Sequence, residues 1–247
     1  MLTSRRGRIL LSLGGVVIIV LIAVLYVVLT HHQKLSQVTK SSYKSAKPIV
    51  PYTTNHAYTY KDLNSFNLKT THPGANLAFS KPVELKPFGQ VGVNGTSDQV
   101  LLIHSAPDHT IPDYSRIAAA ASYSTQAFTP STLTAIASSA KPDNSGYSTF
   151  VGDQKTFISQ RLPYGFDKLT LSTPQVFSSG NIASNAWLTS FTAVSSKLKN
   201  AKGLKGEMIE AYGKQTIYYF MVDNIASDWP ANQAVWQKVE ASLKIDQ

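Results

Sequence analysis

Residues Gly206 to Val222 read GEMIEAYGKQTIYYFMV, two runs rich in apolar and aromatic residues joined by Gly213 and Lys214. That pattern predicts two adjacent strands, Gly206 to Tyr212 and Gln215 to Val222. Ile217 to Val222 is apolar throughout, which predicts a central strand covered on both faces. Working backwards, Leu169 to Leu171 and Ala186 to Val194 read as further strands, and a lysine-rich stretch joins the second of them to Gly206. Working forwards, Asp228, Trp229 and Pro230 open a helix that runs to about Leu243. Ala231, Val235, Val239 and Leu243 recur four apart as its packing stripe, with Trp236 beside them. Successive antiparallel strands closed by an amphipathic helix predict an α+β domain.

The preceding part is less regular. Leu77 to Phe79 is extended and leads into Lys81 and Pro82. Gln90 to Val93 and Gln99 to His104 flank Asn94 to Asp98, a loop that opens with Asn-Gly, the dipeptide most typical of hairpins. Asn94, Gly95 and Thr96 also form a glycosylation sequon, which the hairpin tip explains equally well. Asp113 can cap a helix from Tyr114 to about Tyr123, with Tyr114, Ile117 and Ala121 on one face. Thr129 and Pro130 start a second helix carrying Leu133, Ile136 and Ala137. Lys141 to Gly146 breaks the chain, and Phe150 to Leu162 reads as a third helix.

Before this domain lies Ile9 to Leu29, ILLSLGGVVIIVLIAVLYVVL, twenty-one positions without a charge. At helical rise it measures about 30 Å, the thickness of a hydrocarbon core and more than a cleavable signal peptide needs. It is expected to span a lipid bilayer as a helix. Arg5, Arg6 and Arg8 precede it with no acid among them, which places the N-terminus in the cytoplasm and the bulk of the chain outside. Lys34, Lys40, Lys44 and Lys47 on the far side are more dispersed. No small-residue cleavage site follows the run, so the anchor is expected to stay attached. The division is therefore a basic tip at 1–8, a transmembrane helix at 9–29, a polar stalk at 30–57 and one extracytoplasmic domain at 58–247, in a single-pass protein of the cell membrane.

The net charge of +9 invites a nucleic-acid reading. Seven of the twenty-three basic residues, however, fall within positions 1 to 47, before the first acid at Asp62. Residues 48 to 247 hold sixteen basic against fourteen acidic groups, a net of +2. The excess thus belongs to the anchor and stalk, where it favours anionic lipid headgroups, and nucleic acid becomes a minor prospect. Cysteine is absent. That excludes disulfides, thiol nucleophiles, thiolate metal sites and a lipid-modified N-terminal cysteine, and it fits a prokaryotic envelope.

A domain that opens on an extended Leu-x-Phe-x-x-Pro, meanders through strands and ends in an aromatic strand, a helix near Trp-Pro and a closing Ser242-Leu-Lys-Ile245 resembles the PsbP-like and Mog1-like α+β family. The resemblance is one of layout, over roughly residues 76 to 246. It implies a central antiparallel sheet flanked by helices and a non-catalytic binding or assembly accessory. It carries no site residues over to this chain.

Motifs of catalysis are sparse. His104, Asp108 and His109 lie within six residues with Asp113 nearby, but without the regular spacing of a metal site. A strand end running into a polar loop explains them more simply. There is no Gly-x-Ser-x-Gly elbow, no phosphate-binding glycine loop and no companion to the Ser-x-x-Lys spacings at Ser41, Ser138 and Ser196. No cofactor or metal is therefore expected. What stands above background is Ser195 to Gly206, in which Lys197, Lys199, Lys202 and Lys205 fall within nine positions with no acid until Glu207. These lysines are either a solvated hairpin tip or a contact for an anionic partner such as lipid headgroups, wall polymer or an acidic protein surface. The expected role is a membrane-anchored, envelope-facing binding or assembly accessory. An envelope hydrolase with an unrecognised site, or a structural or adhesive surface protein, are the alternatives.

Overall fold

The computed structural model describes residues 59–93, 96–104, 115–161, 166–182, 185–194 and 203–246. The predicted anchor at 9–29 and stalk at 30–57 lie outside the described residues. Among the described residues no helix is long and apolar enough to cross a membrane.

In chain order the elements are β1 (Leu63–Leu68), β2 (Leu77–Pro82), β3 (Leu85–Val93), β4 (Ser97–His104), β5 (Arg116–Tyr123), α1 (Pro130–Ser139), α2 (Tyr147–Arg161), β6 (Lys168–Leu171), β7 (Gln175–Val176), β8 (Ala186–Val194), β9 (Leu204–Tyr212), β10 (Thr216–Ile225), α3 (Trp229–Ala241) and β11 (Lys244–Ile245). They make a mixed α+β fold with two antiparallel sheets. The larger has eight strands in the order β3-β4-β5-β10-β9-β8-β6, with β7 also paired to β8; the smaller is β1-β2-β11. The predicted single central sheet is therefore accompanied by a second one. Leu77, Phe79 and Pro82 lie in β2, at the centre of that smaller sheet.

β10 is the central strand that its apolar run predicts, paired to β5 on one side and β9 on the other. Alternation then divides its side chains between two faces. Tyr218, Phe220 and Val222 join a core with Leu77 and Phe79 of β2 and Trp236, Val239 and Leu243 of the last helix and its exit. The Phe79 and Phe220 rings meet edge to face at 4.9 Å. On the opposite face Tyr219 stacks on Phe157 of α2 at 4.8 Å, and Trp187 of β8 meets Phe150 of α2 at 5.7 Å. The sheet thus has α2 on one face, and α3 with the small sheet on the other.

Three expectations are corrected. Arg116 to Tyr123, read as part of a helix, is strand β5, in register with β10 from Ile117↔Val222 to Tyr123↔Thr216. Its run of alanines favours a helix locally. Between β4 and β10, however, a strand of small residues satisfies two ladders and leaves room for the bulky side chains beside it, so tertiary context prevails. The Asn-Gly loop is shorter than predicted, because Ser97 and Asp98 already pair with Val93 and Gly92. On α3 the buried stripe is Trp229, Asn232, Trp236, Val239 and Glu240, whereas Ala231 is exposed and Val235 half-buried. The two tryptophans bury far more area than alanine and so set which side faces inward.

The other helices form where the sequence places them. Thr129 caps α1, its side chain accepting from Thr132 N at 3.2 Å, and Pro130 occupies the first turn. α2 buries Phe150, Gln154, Phe157 and Ile158.

Candidate functional site

The lysine-rich connection leaves β8 at Val194 and enters β9 at Leu204. Lys197, Lys199 and Lys202 lie outside the described residues; Lys205 is the member of the group that the structure places. Its approach is fixed by Gly203, at φ +82, where an added Cβ would sit 2.5 Å from the Ala193 carbonyl oxygen. Only glycine adopts that conformation at little cost. The Gly203 carbonyl accepts from Ala226 N at 2.9 Å, tying the exit of β10 to the foot of the loop.

Lys205 then stands on β9, opposite Asn224 of β10 and Thr192 of β8. Half-buried, it lays its Nζ 5.6 Å from the centroid of Trp229, the first residue of α3. An ammonium over an indole face is attracted by the ring quadrupole, and the lysine stem covers apolar surface. Trp229 is 1% exposed, as is Asn224, and neither the Trp229 Nε1 nor the Asn224 amide atoms have a partner within the described residues. The foot of the loop is thus a cation above a buried, polar floor.

On the same face, Glu207 of β9 is near enough to Glu240 of α3 for its charge to act there. The Ser190 hydroxyl donates to Glu207 Oε1 at 3.3 Å. Burial, then the charge of Glu207 and a hydrogen bond with it, push the Glu240 carboxyl up to about 9. On the α2 face a second carboxyl is enclosed. The Thr189 hydroxyl donates to Gln154 Oε1 at 2.9 Å, Gln154 Nε2 to Glu210 Oε2 at 3.2 Å, and the Tyr212 hydroxyl to Glu210 Oε1 at 2.6 Å. Burial pushes Glu210 up to about 7 against the opposing pull of those two hydrogen bonds, with Asp153 adding to the rise. Glu207 and Glu210 are three apart on one strand and so face opposite sides. That odd spacing of acids within an otherwise buried strand was the sequence signal for both groups, and the sequence reading passed over it.

Two further clusters tie the domain together. Asp98 is 2% exposed and accepts from Thr71 N at 2.6 Å, from the Thr71 hydroxyl at 3.0 Å and from the Tyr123 hydroxyl. Burial pushes its carboxyl up, but the hydrogen bonds from Tyr123 and Thr71 outweigh it and hold Asp98 below the usual carboxylate range. His72 stacks on the Tyr123 ring at 4.5 Å, closing the β1–β2 loop over the group. His104, the first residue of the histidine-rich stretch, is buried, with Nδ1 3.2 Å from the Tyr60 hydroxyl. Asp108, His109 and Asp113 lie outside the described residues. Among the described residues no three histidines or carboxylates gather as a metal site.

No family model matches the chain, and no curated protein matches it. Among solved structures the chain has a weak overall resemblance to cyanobacterial PsbP (CyanoP) from Synechocystis sp. PCC 6803, whose structure was determined in solution. The TM-score is 0.47 at 11% sequence identity, over 81% of this chain and 99% of that one.

Proposed function

We propose that this chain is a non-catalytic binding or assembly accessory, anchored in the cell membrane by Ile9 to Leu29 and facing the envelope, which uses Lys197, Lys199, Lys202 and Lys205 to contact an anionic surface. The observation that carries the reading is the concentration of four lysines within nine positions of one β8–β9 connection, no acid among them. Two features support it. Lys205 is held in a defined place, with its ammonium over Trp229. The raised carboxyls of Glu210 and Glu240 are buried in the domain rather than set against solvent, which favours a binding role over acid–base chemistry.

The test uses the compact unit Val50–Gln247, so that the basic residues of the anchor and stalk contribute nothing. It is expected to co-sediment with anionic vesicles or wall polymer, and to release them as salt shortens the Debye length from about 10 Å at 0.1 M to about 3 Å at 1 M. Each lysine near the surface contributes on the order of 1 kcal/mol. Replacing all four by Gln is expected to abolish binding while the unit stays folded, its melting temperature lowered no further than loss of the Lys205–Trp229 contact accounts for, as Lys205→Gln alone would measure. An unsubstituted unit that ignores anionic surfaces even at low salt would reduce the loop to a solvated turn.

A further inference from the structure

Gln154 is the polar member of the four residues that α2 buries, and it is fully enclosed. Its amide ties the helix to two strands of the sheet. It accepts from the Thr189 hydroxyl of β8 at 2.9 Å and donates to Glu210 of β9 at 3.2 Å, and the Tyr212 hydroxyl closes the chain by donating to the other Glu210 oxygen at 2.6 Å. Glu210 is 1% exposed, and the groups bonded to its oxygens are an amide and a hydroxyl, neither of them a cation. A carboxyl so enclosed favours its neutral form. The chain can serve both protonation states. With Glu210 ionised, the hydrogen bonds run toward it from both sides. With Glu210 protonated, its O–H needs an acceptor, and the Gln154 amide turned end for end offers Oε1 there and Nε2 to the Thr189 hydroxyl oxygen. We infer that the Thr189–Gln154–Glu210–Tyr212 chain is a proton-linked seat for α2: docking the helix encloses the carboxyl and takes up a proton, so the helix is held most firmly in acid and more loosely toward neutrality.

The charged and titratable groups around the chain face one another or solvent. On β10, Tyr219 stands directly across from Glu210, with its ring stacked on Phe157. On β8, Trp187 is the residue across from Glu210. On α2, Asp153 and Lys155 are exposed, and the charge of Asp153 adds to the cost of ionising Glu210. Arg161, at the end of α2, lies 3.5 Å over the Phe157 ring and donates to the Phe157 carbonyl at 3.0 Å and to Gln99 Oε1 at 2.7 Å. Further along the same face Arg116 and Asp223 pair with each other at 2.9 Å. α1 carries no charged residue.

Burial holds the Glu210 carboxyl up to about 7 against the pull of its two hydrogen bonds. When α2 lifts, water reaches the carboxyl and returns it toward the ordinary glutamate range, so the proton is lost on release. Docking is therefore favoured in full below that range, weakens as pH rises from it to about 7, and levels off above. Within the window, one proton taken up on docking corresponds to about a tenfold change in the docking equilibrium for each pH unit. What α2 covers is aromatic: Phe150 meets Trp187, and Phe157 meets Tyr219. A looser helix gives water access to that face of the sheet.

Amide exchange of the full-length chain in a mild non-ionic detergent tests the seat, with the central strand β10 as the reference for global opening. Between about pH 5 and about pH 7, after correction for the intrinsic rate, protection in the middle of α2 is expected to fall at least about tenfold and then to level off. Glu210→Gln keeps a donor and an acceptor at the site without the titrating proton and should flatten that profile. If this variant does not fold, Tyr212→Phe removes a hydrogen bond to the ionised carboxylate and should carry the decline to higher pH. An α2 whose protection is constant with pH in the wild type, that exchanges only in step with β10, or whose decline is unaltered in whichever variant folds would overturn the seat.

Discussion

Arg116 and Asp223 show what one buried pair can decide. They face each other across β5 and β10, each nearly or fully out of water, with Arg116 Nε and Nη2 both 2.9 Å from Asp223 Oδ1. Burial pushes the Asp223 carboxyl up, and the guanidinium pulls it back. Arg116→Met would strand a buried carboxylate, so a loss of about 3 to 5 kcal/mol is expected in urea unfolding. The Arg116→Met/Asp223→Leu pair should recover most of that loss, because neither charge is left alone. A double variant no more stable than the single one would mean that the arginine acts through its packing, including its 3.2 Å hydrogen bond to the Arg161 carbonyl. Asp98 behaves in the opposite sense from the raised glutamates. Its carboxyl is held low in the folded state, so its contribution is present above the ordinary aspartate range and is lost as pH falls through the folded value. Asp98→Asn is expected to cost on the order of 2 kcal/mol at neutral pH and progressively less in acid, read from melting curves across that range.

At the scale of elements, α3 is held by its aromatic residues. Trp236 is fully buried and meets Tyr60 at 5.4 Å, and Trp236→Ala is expected to cost about 3 to 5 kcal/mol. A melting temperature within a degree of the parent would count against this packing. On β9, Gly206 leaves room for the Phe191 ring and the Val222 carbonyl, and a Cβ there would collide with both. Gly206→Ala should therefore destabilise by about 1 to 3 kcal/mol, and Phe191→Leu in the same chain should restore part of it in the same melting assay. These elements differ in how openly the sequence declared them. β8, β9, β10, α1 and α2 were legible because their patterns and punctuation agree with their burial. β5 was misread because alanine speaks for a helix while its neighbours, distant in sequence, require a strand. On α3 and its exit the spacing placed Trp236, Val239 and Leu243 inward, as they are, and failed at Ala231, where the larger Trp229 takes the buried side instead. The lysine group was visible as composition, but Glu207 and Glu240 are brought together only by the fold and have no signature as a pair.

Taken whole, the domain carries opposing proton linkages. Glu210 and Glu240 favour the folded state below the ordinary glutamate range and cease to do so as pH rises through about 7 and about 9. Asp98 withdraws its support in acid. The stability maximum is therefore expected near the ordinary carboxylate range, where Asp98 is already charged and the glutamates are still protonated in both states, and Glu210→Gln should make the decline above it less steep. A maximum that stays above about pH 8 in the parent chain would be inconsistent with these linkages. The order of the large sheet has a consequence for how the chain assembles. β3-β4-β5 and β8-β9-β10 are each local meanders, and the β5–β10 ladder joins them, bringing Arg116 to Asp223 across 107 positions. Local strands close sooner than distant ones, so the two meanders are expected to form first and the seam to zip last. Substitutions that act only across the β5–β10 seam, such as Asp223→Asn against Arg116, should then speed unfolding while leaving the folding rate nearly untouched, whereas those at the β9–β10 turn should slow folding. A chain interrupted between α1 and α2 would still carry both meanders whole, and β5 would remain available to recruit β10 from a separate fragment.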